Sequence, residues 1–188
     1  MYKKEIIRKK NILIRKKKYF QVSLNFFLPL LKLLKKKFKN NNFSLSLYYP
    51  SNYEVDVVVL RETFGNKKIK ILLPVVKKKS KIRFEEWKNF DPLKVNKFGI
   101  LEPYQKAKPI IPDVILVPLL AFDAKNNRLG YGKGYYDKFL NDFLRKKNIL
   151  TIGIAFSFQK YNKLPASSLD VKLDYILTEK GLQKKWTF

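Results

Sequence analysis

The chain has 188 residues, 46% apolar and 15% aromatic, enough to bury one ordinary core and too hydrophobic for a disordered chain. It holds no cysteine and no histidine, which excludes disulfides, thiolate metal sites, a Ser-His-Asp triad and a histidine proton shuttle. Carboxylates, Lys, Arg, Tyr, backbone donors and oxygen-bound hard metals remain to carry any chemistry.

The 41 Lys+Arg against 15 Asp+Glu give a net charge of +26, a field that favours anions: nucleic acid, membrane surfaces or phosphorylated small molecules. Residues 1–39 hold 14 basic side chains and one acidic one, Glu5. The Lys blocks lack the interleaved glycines and aromatics of single-strand binders, and no RNA-binding or helix-turn-helix signature is present. The excess reads as compositional bias, with no specific nucleic-acid partner expected. No apolar run approaches the roughly 20 residues of a membrane span. The most hydrophobic early stretch, Phe26 to Leu34, is broken by Pro29 and Lys32, so neither a span nor a signal peptide is expected. The expectation is a cytoplasmic monomer of one domain, residues 1–188.

In chain order, the first 39 residues read as helical, with Ile6, Ile7, Leu13 and Ile14, then Leu24, Phe27, Leu28, Leu31 and Leu34, recurring mostly at three- and four-residue steps. Pro29 either starts a helix there or kinks one. Phe43 to Tyr49 alternates as a strand, and Pro50-Ser51-Asn52 is a turn. Glu54 to Phe64 reads as a helix capped by Gly65. Ile69 to Pro74 is a second strand, and Lys77 to Phe90 is mixed, with room for another strand or hairpin. After the prolines at 103, 109 and 112, the continuous run Asp113 to Pro118 suits a strand buried on both faces of a parallel sheet. A glycine-rich loop follows, then a helix from about Tyr135 to Lys147 with Tyr136, Phe139, Leu140, Phe143 and Leu144 on its apolar face. Leu150 to Phe156 and Leu173 to Thr178 complete the strands. Alternating strands and helices predict an α/β fold: a largely parallel sheet flanked by helices, a Rossmann-like three-layer domain with a helical N-terminus.

The chemistry concentrates between Phe122 and Asp137. A buried strand ends, a loop carries Gly130, Gly132 and Gly134, and a helix begins. Alternating glycines let a backbone approach a ligand closely, and a helix N-terminus offers unpaired N–H groups that suit phosphate. Arg128 and Lys133 add charge, and Asp137 in the first helical turn can accept from N–H groups or hold a metal. The spacing is neither a P-loop nor a dinucleotide fingerprint. Alone, it leaves open an ordinary strand-to-helix turn, a non-catalytic nucleotide-binding domain or an enzyme.

The full string FDAKNNRLGYGKGYYDKFL resembles the signature of the 5-formyltetrahydrofolate cyclo-ligase family. Other stretches resemble the family's landmarks in order: Lys4-x-x-x-Arg8; Tyr49 followed by Glu54-Val55-Asp56; Leu72-Leu73-Pro74; Phe98 through Pro103; Val117-Pro118; Gln159; and Asp170-x-x-x-Asp174 ahead of Thr178-Glu179. The resemblance implies conversion of 5-formyltetrahydrofolate and ATP, with Mg²⁺, into 5,10-methenyltetrahydrofolate, ADP and phosphate. Phosphoryl transfer needs positioning and charge neutralisation more than a strong base, so a site without histidine is adequate.

By that resemblance, Lys4, Arg8 and Arg128, Leu129, Gly130, Tyr131, Gly132, Lys133, Gly134, Tyr135 and Tyr136 contact ATP. Lys133 and Arg128 serve catalysis, and Asp137 and Asp170 bind Mg²⁺. Tyr49, Glu54 and Tyr131 through Tyr135 contact the folate, with Phe98 stacked on its pterin. Asn127 stands where the family favours glycine, and Asn enters the left-handed region more readily than most residues. Lys138 replaces a common arginine, and Leu169 stands where a histidine often precedes Asp170. The basic composition keeps a nucleic-acid-binding protein as the rival reading.

Overall fold

The computed structural model describes residues 2–64, 68–78, 81–104, 108–144, 147–165 and 167–184. In chain order these form α1 (Tyr2–Lys18), a 3-10 turn (Leu24–Phe27), α2 (Leu28–Lys37), β1 (Ser44–Ser46), α3 (Leu60–Phe64), β2 (Lys70–Lys77) and β3 (Lys81–Glu86). Then come β4 (Leu93–Val95), β5 (Leu101–Pro103), β6 (Val114–Pro118), β7 (Ala121–Asp123), β8 (Arg128–Leu129) and α4 (Tyr135–Phe143). The chain closes with β9 (Leu150–Ile154), a 3-10 turn (Ser157–Gln159), β10 (Lys160–Tyr161), β11 (Tyr175–Thr178) and β12 (Gly181–Lys184).

The main sheet has seven strands in the order β12-β11-β9-β6-β1-β2-β3. Pairings from β11 to β2 are all parallel, and antiparallel β12 and β3 close the two edges. Both faces are buried, as the uninterrupted apolar run of β6 requires. Along β6, Val114 and Leu116 enter one apolar cluster, and Ile115 and Val117 enter the other; β2 divides likewise, with Ile71 and Leu73 opposite Leu72. Phe27, Leu30, Leu34, Leu60 and Phe64 from the α2 and α3 region cover the first face, and Phe139 and Leu140 of α4 cover the second. At about 1.5–3 kcal/mol for each large apolar side chain buried, these two layers are what hold the sheet. The three-layer α/β architecture is the one expected.

Several local expectations change. Pro29 sits in the first turn of α2 and starts that helix. The expected helix from Glu54 is only the short α3. Val55, Val57, Val58 and Val59 are β-branched and resist helix; the Asp56 carboxylate accepts from the Val58 amide at 2.8 Å and Tyr48 donates to the Val55 carbonyl at 3.0 Å, holding an irregular path. The expected cap at Gly65 lies outside the described residues, as do residues 145–146 of the helix expected to reach Lys147. On α1 the apolar positions do not form the buried face: Ile6 and Leu13 are exposed, whereas Asn11 and Arg15 are buried. Among the described residues, no helix is long and apolar enough to cross a membrane.

Two small sheets escaped the sequence reading because their strands, two or three residues long, carry no periodicity. One has the order β10-β7-β8 and carries the hairpin that leads into the glycine segment; the other is the β4–β5 hairpin. From β1 the chain proceeds to β2 on one side, whereas β6, β9 and β11 build the other side. The reversal between β1 and β6 is a topological switch point, and such sheets bind ligands in the crevice outside the carboxyl ends of those strands. Tyr49 and Glu54 follow β1, and the glycine segment follows β6 by way of β7 and β8, so the fold delivers both to that crevice.

Candidate active site

The glycine segment links β8 to α4. Gly132 (φ 92°) and Gly134 (φ 68°) occupy the left-handed region, and Gly134 is the residue just before α4. Gly132 also lies under the Arg8 side chain: a Cβ there would stand 3.0 Å from Arg8 Cζ. Arg8 Nε donates to the Gly130 carbonyl at 3.0 Å, and Nη1 donates to Glu5 at 3.1 Å. The amides of the first turn of α4 have no partner within the helix, leaving donors at the end of the segment.

Two carboxylates flank it. Asp137 Oδ1 accepts from Arg128 Nη2 at 2.7 Å and from the Val171 amide at 3.1 Å. Arg128 is buried, and Nη1 also donates to the Val171 carbonyl at 2.6 Å. Burial pulls its guanidinium below the ordinary value, and the Asp137 charge opposes that. Asp170 Oδ2 accepts from Lys4 Nζ at 2.6 Å and from the Ser167 amide at 2.7 Å. Burial alone would raise the Asp170 carboxyl, but the Lys4 and Ser167 hydrogen bonds outweigh it and hold it below the usual range. The far ends of the sequence therefore meet here.

Glu54 lies deeper and is buried. Its Oε1 accepts from the Tyr131 hydroxyl at 2.7 Å; Oε2 accepts from the Ser51 amide at 2.8 Å and the Ser51 hydroxyl at 3.3 Å. Burial pushes its carboxyl up, against the pull of Arg15, Tyr131 and Ser51. Burial and the nearby Glu54 charge likewise raise the Tyr131 and Tyr136 hydroxyls above their ordinary value. Arg15 donates to the Tyr131 hydroxyl as well.

The other expected residues divide. Phe98, at the tip of the β4–β5 hairpin, is exposed with its ring edge-on to Tyr135 at 6.0 Å. Tyr49 is half-buried just beyond β1. Lys133 is exposed, and no hydrogen bond or ion pair holds its ammonium among the described residues. Leu129 is buried with Ala121 and Leu164, and Tyr136, on α4, packs against the second apolar cluster. A cavity of about 340 Å³ beside the β4–β5 hairpin, lined by Lys77, Lys78, Lys94, Lys97 and Glu102 among others, includes no residue of the glycine segment.

One turn position corrects the sequence reading. The left-handed position in the β7–β8 turn is Asn126 (φ 56°), not Asn127. Asn126 is also more than tolerated there: its Nδ2 donates to the Leu173 and Asp174 carbonyls at 3.1 and 3.2 Å, and its Oδ1 accepts from Gln183 at 2.6 Å. Asp123 spends both oxygens on the turn, accepting from the Lys125 and Asn127 amides, the Asn127 side chain and the Leu164 amide. Gln159 holds the Phe156 amide and the Leu119 and Leu120 carbonyls. Asn11 and Arg15 were missed. Their signal is spacing: Lys4, Arg8, Asn11 and Arg15 recur at one helical face.

A model of the 5-formyltetrahydrofolate cyclo-ligase family matches residues 8–179. The chain belongs to that family. It is 32% identical over 140 residues to the 5-formyltetrahydrofolate cyclo-ligase of Haemophilus influenzae, covering 71% of this chain and 74% of that one. It is 34% identical over 139 residues to the cyclo-ligase of Mycoplasma pneumoniae, covering 72% and 73%. The structure of Aquifex aeolicus 5,10-methenyltetrahydrofolate synthetase is similar with a TM-score of 0.75 and 30% identity, over 98% of this chain and 94% of that one. The corresponding synthetase structure from Mycoplasma pneumoniae gives 0.67 and 28%, over 94% and 98%. The family, its ligase class and the α/β fold agree with the sequence resemblance. Lys4 precedes the matched span of the cyclo-ligase family, so its place at the site rests on its contact with Asp170.

Proposed function

We propose that this chain converts 5-formyltetrahydrofolate and ATP, with Mg²⁺, into 5,10-methenyltetrahydrofolate, ADP and phosphate. The observation that carries this reading, beyond family membership, is the convergence of Lys4, Arg8, the glycine segment and two carboxylates at the carboxyl-end crevice of the sheet. Cations, backbone donors and a helix N-terminus meeting in one place suit a triphosphate.

The carboxylates suit Mg²⁺. Oδ1 of Asp137 and Oδ2 of Asp170 carry the hydrogen bonds described above, and the other oxygen of each accepts none among the described residues. Two open carboxylate oxygens, with waters and phosphate oxygens as further ligands, match the coordination habit of this ion. Bound there, Mg²⁺ would neutralise charge on the transferring phosphates. No group of three or more candidate ligands occurs among the described residues, so the ion would rest on these two.

The formyl oxygen attacks the γ-phosphorus, an O–P bond forms, and ADP leaves. N10 then attacks the formyl carbon and loses its proton, the C–O bond breaks, and phosphate departs with the former formyl oxygen. Arg8 and Lys133 are the cations in place to meet the phosphates, the first docked on Gly130 and Gly132, the second unengaged and exposed. Arg128 acts through Asp137, which it holds in place. Lys4 does the same for Asp170. Glu54, Tyr49 and Phe98 receive the folate. A formyl group labelled with ¹⁸O tests the order of events: the label should appear in inorganic phosphate, whereas label released to water would exclude phosphorylation of the formyl oxygen.

A further inference from the structure

We infer that Arg15 is a positioning residue for the folate end of the site, clamping the two loops that leave β1 and β6 and orienting Glu54 through the Tyr131 hydroxyl. This rests on the folate role proposed for Glu54. Arg15 is 1% exposed, in the last turn of a helix whose other charged residues face water or the phosphate end. Its guanidinium forks three ways. Nε donates to the Asn52 carbonyl at 2.8 Å, Nη1 to the Leu119 carbonyl at 3.3 Å, and Nη2 to the Tyr131 hydroxyl. Asn52 lies in the turn beyond β1 and Leu119 just beyond β6, so one side chain spans the switch point of the sheet.

The fork has consequences for Glu54. Arginine only donates, so the Tyr131 oxygen must accept from it, and the single phenolic proton is left for Glu54 Oε1. Of about four acceptor sites on that carboxylate, Tyr131 and the two Ser51 donors take three, leaving roughly one for a substrate N–H. The loop itself is under tension: Asn52 (φ 47°) and Tyr53 (φ 61°) are consecutive non-glycine residues in the left-handed region, just before Glu54. Such a pair persists only where surrounding contacts hold it, and the Arg15–Asn52 bond is one. Burying a cation on two carbonyls and a phenol is costly unless its charge serves a partner. The partner is Glu54, one hydroxyl away.

The groups facing Glu54 are Arg15 from α1, Tyr131 from the glycine segment, Tyr48 after β1 and Tyr136 from α4. Arg15 alone among these is a cation. Its charge is the largest force opposing the rise that burial imposes on the Glu54 carboxyl, so its removal raises that carboxyl further.

The test is steady-state kinetics of the full chain. In Arg15→Gln the KM for 5-formyltetrahydrofolate rises about tenfold or more, as for loss of a charged hydrogen bond. The KM for ATP stays within about twofold, and the acid limb of kcat/KM for folate moves to higher pH. Arg15→Lys keeps the charge without the planar fork: its acid limb stays in place while its folate KM rises. In a Tyr131→Phe background the effect of Arg15→Gln shrinks, because both act through one hydroxyl. An unmoved acid limb in Arg15→Gln, equal rises in both KM values, or full additivity with Tyr131→Phe would overturn the inference. If Arg15→Gln does not fold, an unchanged folate KM in Arg15→Lys overturns it. A wild-type chain without turnover refutes the functional reading; an active wild type with unaffected variants refutes only the role of Arg15.

Discussion

Two nearby glycines should respond very unequally to the same added methyl group. At Gly132 the backbone is left-handed and a new Cβ meets the Arg8 guanidinium at 3.0–3.3 Å; at Gly130 φ is not positive and a Cβ meets nothing within 4 Å. Forcing an L-residue into the left-handed region costs about 1–2 kcal/mol. Displacing Arg8 from the Gly130 carbonyl adds about 0.5–1.5 kcal/mol. For a domain of this size each kcal/mol moves Tm by about 2–4 °C, so Gly132→Ala should melt roughly 3–14 °C below wild type without ligand. Gly130→Ala should stay within about 1–2 °C. Differential scanning calorimetry of the ligand-free protein reads this directly. A non-hydrolysable ATP analogue should then bind Gly132→Ala at least about tenfold more weakly, as expected for loss of a charged contact to phosphate. Equal melting temperatures for the two variants would refute the Arg8–Gly132 packing argument.

Other perturbations probe other parts of the site. Lys4→Met should destabilise by about 0.5–1 kcal/mol at neutral pH, discounted for the partial exposure of the Lys4–Asp170 pair. Because the folded-state Asp170 value lies below its unfolded one, this stability is present above the unfolded value and lost as pH falls through the folded value; the two melting curves should converge in acid. A gap that widens in acid would contradict the pairing. Asp137→Asn should raise the Mg²⁺ concentration for half-maximal turnover by at least about tenfold; an unchanged Mg²⁺ titration would remove Asp137 from the metal site. Phe98→Ala should raise the KM for folate several-fold while leaving that for ATP within about twofold, since a lost aromatic stack is worth about 0.5–1.5 kcal/mol. Equal effects on both substrates would mean the hairpin supports the site as a whole.

The sheet was legible where strands are long and buried. The run from Asp113 to Pro118 carries apolar side chains on both faces, and that pattern predicts a central parallel strand without reference to its neighbours. The helix after the glycines was legible because Tyr136, Phe139, Leu140 and Phe143 meet the core at three- and four-residue steps. The stretch after Glu54 misled because propensity and tertiary contacts compete there: Glu54 turns back to Ser51 and Tyr131, and the buried Val55 and Val57 follow an irregular path that becomes helical only at Leu60. The site itself was legible mainly through the spelling of Phe122 to Asp137. Its deeper part was not. Arg15 looked like one more surface cation in a basic helix, and only the fold shows it buried against Asn52, Leu119 and Tyr131. The left-handed turn position was misplaced by one residue, because two adjacent asparagines are equally suited to it and only their contacts distinguish them.

The most direct measurement uses the absorbance of the product. 5,10-Methenyltetrahydrofolate absorbs in the near ultraviolet where 5-formyltetrahydrofolate does not. Purified chain given 5-formyltetrahydrofolate, ATP and Mg²⁺ should develop that band, with ADP formed in step, and omission of ATP or Mg²⁺ should abolish it. Folded protein that produces no new absorbance with all three present would contradict the account.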